Sequence, residues 1–182
     1  GRDGTRNYLL IVPTSMCASH EAQQISTIAE YTIYNKQQYP NVDGIVAIPH
    51  NKGCGCQDGS TIDVMLRTLS NYADHPNVGG VILIDLGCEK TNLAQVESYL
   101  LKREKPFDKP VAKIGIQDVG GTEAAIQQGL KDVVAMLPAV NETSREEVSV
   151  SELVLGVKCG GSDGFSGISA NPSLGYCSDL LV

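Results

Sequence analysis

No apolar run in this sequence is long enough to cross a bilayer, and no signal-peptide pattern is present. That excludes a spanning helix and gives no sign of export. Cations are scarce. The formal net charge is -7, which argues against a nucleic-acid partner, because phosphate binding needs clustered Lys and Arg. The six cysteines (Cys17, Cys54, Cys56, Cys88, Cys159 and Cys177) include no CxxC pair, which weakens zinc-ribbon and thioredoxin readings. Neither GxGxxG nor a Walker sequence occurs, so nothing points to a nucleotide. Repeats at solenoid periods and low-complexity tracts are absent as well. An initiator Met is also missing, and the last residues, Leu180-Leu181-Val182, are apolar. The sequence therefore reads as part of a longer chain.

What is present is ordinary for a soluble globular protein: 182 residues, 42% hydrophobic and 19% charged. That length suits one domain with a proper core, or one domain and a stub of another. With no export signal and a core that needs no disulfides, the thiols read as reduced and the protein as cytoplasmic. Apolar runs at 8–13, 44–48, 80–86 and 111–116 alternate with amphipathic stretches, the pattern of repeated βα units. Ile62, Met65, Leu66, Leu69, Tyr72 and Ala73 share one helical stripe. So do Ile126, Leu130, Val133, Val134 and Leu137, and, near the start, Ala22, Ile25, Ala29 and Ile33. Leu93, Val96 and Leu100 mark a shorter helix. Pro40, Pro76, Pro106 and Pro138 are expected just past helix ends. The expected fold is a three-layer α/β arrangement, a mainly parallel sheet flanked by helices, Rossmann-like or flavodoxin-like. The expected organisation is an α/β domain over 1–141, a polar linker over 142–150, and the start of a following region over 151–182. There, a fifth apolar run at 153–157 is expected to open a new unit.

Each expected strand leads within a few residues to a reactive side chain. The first reaches Thr14-Ser15-Met16-Cys17, the second His50-Asn51-Lys52-Gly53-Cys54, and the third Gly87-Cys88-Glu89. The fourth reaches Gln117-Asp118, and the fifth Lys158-Cys159-Gly160-Gly161-Ser162-Asp163. Parallel strands end on one edge of the sheet, where ligands bind. The five loops are thus expected to share a rim. Taken singly, each residue has a plainer reading: cysteines fill space, His50 bonds within its loop, Glu89 opens the next helix, and Asp118 caps a turn. Gly120-Gly121-Thr122 and Gly160-Gly161-Ser162 offer backbone N–H groups to an anion, and a carboxylate suits them better than a nucleotide.

Two stretches carry a family resemblance. Gly1-Arg2-Asp3-Gly4-Thr5-Arg6-Asn7-Tyr8 resembles the GR-x-GTRNY opening of the altronate/galactarate dehydratase family. The stretch from Lys158-Cys159-Gly160-Gly161-Ser162-Asp163 to Ala170-Asn171-Pro172 resembles its CGGSDG-[FY]-SGI-[ST]-ANP block. Asn41-Val42-Asp43-Gly44, Gly87-Cys88-Glu89 and Gln117-Asp118 with Gly120-Gly121-Thr122 follow in the family's order. His50-Asn51-Lys52-Gly53-Cys54 departs from the family's small-residue H-G-x-G-C loop and leaves the precise sugar acid open. The closest likeness is to altronate dehydratases, with sulfolactate sulfo-lyases among similar chains.

This resemblance implies an iron-dependent hydro-lyase acting on a sugar acid, with Fe2+ as the cofactor and Mn2+ or another divalent cation as the alternative. It also implies a homodimer, and a further N-terminal domain or subunit and a C-terminal region that this sequence lacks. His50, Cys54, Glu89 and Asp163 are the catalytic candidates. Cys88, Cys159 and His50 are the candidate metal ligands. Arg6, Lys158, Gly160, Gly161 and Ser162 are the candidates for holding the substrate, Arg6 because its planar fork pairs with a carboxylate in two places. Within this set the residues do not separate ligand from base. A non-catalytic dimerisation or scaffold domain is the competing class, and an iron–sulfur or thiol redox protein the third.

Overall fold

The computed structural model describes residues 4–102, 106–158, 160, 161 and 163–182. The chain divides into two compact units, Gly1–Glu146 and Glu147–Val182.

The first unit is a three-layer α/β sandwich. Its strands are β1 (Tyr8–Pro13), β2 (Gly44–Ala47), β3 (Val78–Asp85) and β4 (Val111–Gly115). They form one sheet in the order β2-β1-β3-β4, every neighbouring pair parallel. The helices between and after them are α1 (Ser19–Thr32), α2 (Ser60–Ala73), α3 (Leu93–Leu101) and α4 (Thr122–Asn141). A 3-10 turn, Met16–Ala18, joins β1 to α1.

Strand periodicity explains the layering. Side chains alternate across a strand, so Leu9 and Ile11 enter one core with Ile25 of α1 and Val133 of α4. Leu10 and Val12 enter the other, with Leu66 and Leu69 of α2 and Val96 of α3. Both faces of the sheet are covered, and the central strands β1 and β3 are accordingly Val/Ile/Leu-rich. At Gly129, α4 packs so closely on α1 that a Cβ there would collide with Ile25.

The order β2-β1-β3-β4 is flavodoxin-like. After β1 the chain moves outward to β2, and after β3 it moves the other way to β4. The junction between β1 and β3 is therefore the topological switch point, where such sheets open a crevice beyond the strands' C-terminal ends.

Three expectations are corrected. Residues 153–157 form no strand, and Leu153, Val154, Leu155 and Val157 are exposed; no neighbouring strand pairs with this run, so it gains nothing from its β-formers. Pro138 lies inside α4 rather than beyond it. The N–H it lacks would have met the carbonyl of Val134, on the helix's exposed side, where solvent takes the donor's place. Tyr72 and Val134, assigned above to the buried stripes, are exposed, because each stands at the margin of an apolar face that the core fills only in its centre.

The second unit has a 3-10 turn at Val150–Glu152 and one helix, α5 (Ala170–Leu181). Among the described residues of the chain, no helix is long and apolar enough to cross a membrane.

Candidate functional site

The four β-strands end on one edge, and the loops that leave them are bonded to one another. Thr14 N–H donates to Ile84 O at 2.9 Å, and Met16 N–H to Lys52 O at 2.6 Å. Gln117 N–H donates to Leu86 O at 3.1 Å, joining the loops after β3 and β4. Gly87 faces Gln117 so closely that a Cβ would come within 2.8 Å of Oε1, and its φ of +119° favours glycine on its own.

The switch point is filled from inside. Glu89 is buried, and its Oε1 accepts from Thr14 Oγ1 (2.9 Å), Ser15 Oγ (3.1 Å) and Leu86 N–H (2.8 Å). Its Oε2 accepts from Gly87 N–H at 2.6 Å. Burial pushes the carboxyl's pKa up, but the N–H groups of Leu86, Glu89 itself and Gly87, with the Thr14 hydroxyl, outweigh it and leave the pKa below the ordinary value. Thr91 Oγ1 donates to Thr14 O at 2.7 Å and closes the network.

Asp85, the last residue of β3, behaves oppositely. Burial raises its pKa, Leu93 N–H at 3.0 Å lowers it, and the charges of Glu89 and Asp118 push it up again. The net shift is upward.

His50 follows β2, and both of its ring nitrogens are occupied. Nε2 meets Pro13 O at 3.0 Å, and Nδ1 accepts from Lys52 N–H at 3.2 Å. A carbonyl only accepts and an amide only donates, so these two bonds fit the tautomer with its proton on Nε2. His50 O and N–H both bond Ser19 Oγ, tying the loop to α1. Beside it, a groove of about 600 Å³ runs between the exit of β2 and α2, lined by Ile48, His50, Lys52, Cys56, Val64 and Tyr72 among others. Its walls are mostly apolar, which gives a polyhydroxylated acid few partners.

Comparison with known proteins decides the family. The model for D-galactarate dehydratase/altronate hydrolase, second domain, matches residues 1–141, and that for D-galactarate/altronate dehydratase, C-terminal, matches residues 150–182. The chain belongs to the galactarate/altronate dehydratase family. It is 34% identical over 190 residues to altronate dehydratase of Bacillus subtilis (strain 168), and 38% identical over 188 residues to galactarate dehydratase (L-threo-forming) of Escherichia coli (strain K12). It is 32% identical over 181 residues to (2R)-sulfolactate sulfo-lyase subunit beta of Chromohalobacter salexigens. Each alignment covers 100% of this chain but only 35%, 35% and 41% of those relatives, so the chain spans a little over a third of their length. No solved structure matches the chain.

The expected residues fall in different units of the chain. Cys54, Cys88, Glu89 and His50 stand in loops on the shared edge, with Cys17 and Asp118. Cys17, Cys54 and Cys88 are exposed. Arg6 precedes β1 and lies at the sheet's other edge, where its Nη1 donates to Thr5 O; a six-residue strand separates it from the rim. Lys158, Gly160, Gly161 and Asp163 belong to the second unit, and each is exposed. Asp163 serves a turn: its carboxylate accepts from Ser166 N–H and Oγ, both at 2.9 Å, and these bonds with the N–H of Phe165 hold its pKa down. Cys159 and Ser162 lie outside the described residues.

No group of three or more His, Cys, Asp and Glu among the described residues stands close enough to hold a metal ion. The donors present point the same way: the nitrogens of His50 and the oxygens of Glu89 already have partners. The described residues therefore do not make a site for the divalent cation.

Sequence reasoning passed over Asp85, Thr91 and the hydroxyls of Thr14 and Ser15. Asp85 had a legible signal, an acid at the end of an otherwise apolar run, since a buried carboxylate needs donors.

Proposed function

We propose that the whole protein to which this chain contributes is a hydro-lyase that removes water from a sugar acid of the altronate or galactarate type. A proton leaves the carbon beside the carboxylate, hydroxide leaves the next carbon, and the resulting enol becomes a 2-keto-3-deoxy acid. The observation that supports it is identity of 34% and 38% to two such dehydratases along the entire chain, with both family models in order. In this reading residues 1–141 and 151–182 belong to successive domains joined by 142–150, in a cytoplasmic homodimer completed by N-terminal and C-terminal parts.

The rim residues divide by their environment. Glu89 is an ionised, fully bonded carboxylate with a lowered pKa, so it orients the loops after β1 and β3 rather than accepting a proton. Asp85, whose burial raises its pKa, is the better proton store of the two. His50 holds the loop that carries Cys54. Cys88, Cys159 and Asp163 remain proposed contributors, with Lys158, Gly160, Gly161 and Ser162 toward the substrate carboxylate. The cation, Fe2+ before Mn2+ or another divalent ion, takes at least part of its ligands from beyond the first unit, beside Cys88.

One assay series tests this. The whole protein, prepared without oxygen and supplied with ferrous ion, is offered altronate, galactarate and (2R)-sulfolactate. A 2-keto-3-deoxy acid from either sugar acid supports the reading. Sulfite release from sulfolactate alone replaces it with the sulfo-lyase reading. Labile iron without acid-labile sulfide supports the metal, and acid-labile sulfide points to a cluster.

A second reading is favoured by the engaged state of His50 and Glu89: the α/β unit is a non-catalytic scaffold, with the chemistry supplied elsewhere. His50→Ala and Cys88→Ser separate the two. Turnover of the whole protein that survives both favours the scaffold.

A further inference from the structure

Cys54-Gly55-Cys56 plays no part in the proton chemistry proposed for the rim, yet its geometry is distinctive. Cys56 N–H donates to Gly53 O at 2.9 Å, which closes residues 53–56 into a β-turn with Cys54 and Gly55 at its centre. Neighbouring Cα atoms are ~3.8 Å apart, so residues two apart and bent within such a turn fall inside the ~4.4–6.8 Å that a disulfide spans. A Cβ added at Gly55 would meet nothing within 4 Å, so the space over the turn is open. Both thiols are free, Cys54 exposed and Cys56 partly so. The turn is also held at each end. Lys52 O accepts from Met16 N–H on one side. On the other, Lys90 Nζ donates to Cys56 O at 3.4 Å and pairs with Asp58 at 2.8 Å.

We propose that Cys54 and Cys56 form a reversible oxidative modification site, an intramolecular disulfide made under peroxide. One thiol attacks a peroxide oxygen, the O–O bond breaks, and a sulfenic acid and one water result. The second sulfur then attacks the sulfenic sulfur, the S–S bond forms, and the hydroxyl leaves with a proton as a second water. Two thiols are oxidised by two electrons and one hydrogen peroxide is reduced to two waters. The ring closed by so short a spacing is strained, and strained disulfides are the readily reduced ones. Cys17 and Cys88 are also exposed on this edge, but no tight turn ties either to Cys54.

Peptide mapping of the 182-residue chain tests this without reference to dehydration. The chain is treated with a small excess of hydrogen peroxide, alkylated with iodoacetamide and cut with trypsin. Peptide 53–67 is expected two hydrogens lighter, unalkylated, and open to alkylation only after reduction. The lighter peptide should vanish in Cys54→Ser and in Cys56→Ser, and persist in Cys17→Ser and Cys88→Ser. A bond from Cys54 or Cys56 to any other cysteine overturns the proposal. So does full alkylation of both thiols, or single-site sulfinic acid with no bond.

Discussion

The Thr14 hydroxyl donates to Glu89 Oε1 at 2.9 Å, a bond between residues 75 positions apart. It crosses the junction of β1 and β3, where an open sheet of this order would otherwise leave a crevice. Ser15, Leu86 and Gly87 donate to the same carboxylate. One side chain thus sets the relative position of two loops that carry exposed thiols.

Removing that carboxylate leaves buried donors unpaired. Glu89→Ala is expected to destabilise the chain by on the order of 3 kcal/mol, since each orphaned buried donor costs about 1–3 kcal/mol and solvent entering the space recovers part of the total. Urea unfolding followed by circular dichroism measures it. A loss under about 0.5 kcal/mol, the range of ordinary surface substitutions, would show that the carboxylate holds nothing in place.

Asp85 and Glu89 should respond to pH with opposite signs. Glu89 has a lowered folded pKa, so its stabilisation is present above the unfolded value of about 4.3 and is lost as pH falls through the folded pKa. Asp85 has a raised folded pKa, so its contribution is full below the unfolded value of about 3.9 and is lost as pH rises through the folded one. Asp85→Asn keeps an oxygen for Leu93 N–H and removes the buried charge. It is expected to leave stability at pH 7 unchanged or higher, while Glu89→Gln lowers it. Denaturant midpoints of both variants at pH 4 and pH 7 check this; a loss at pH 7 in Asp85→Asn refutes the assignment.

Gly129→Val should be costly for a different reason. A Cβ at this position already collides with Ile25, and overfilling a packed contact typically costs about 1–3 kcal/mol. Thermal unfolding of the variant measures the drop. An unchanged midpoint would mean that α1 and α4 are not in close contact.

Much of the scaffold was legible in local pattern. The four strands are short apolar-rich runs, and the positions of Ile25, Leu66 and Val133 on helical stripes match the faces they bury. Position at strand ends was also enough to place His50, Cys54, Cys88 and Glu89 on one edge. What those residues do there was not legible, because their partners are distant in sequence. His50 bonds Pro13 O across 37 positions, and Glu89 bonds Thr14 and Ser15 across 75 and 74. The position of Arg6 was not legible for a related reason: a cation beside a strand looks alike at either end, and only the direction of β1 puts it on the far edge. The 153–157 run misled because strand-forming residues need a neighbouring strand, which local composition does not reveal.

The backbone amides of Leu86 and Gly87 report on the Glu89 lock without any substitution. Both donate to one buried carboxylate, at 2.8 Å and 2.6 Å, although Gly87 itself is exposed. Amide hydrogen exchange of the folded chain should find both slowed by roughly a hundredfold or more against an unstructured peptide. Exchange of the two amides at unstructured rates, with the β3 amides still protected, would mean that Glu89 does not bind this loop and that the junction of β1 and β3 stands open.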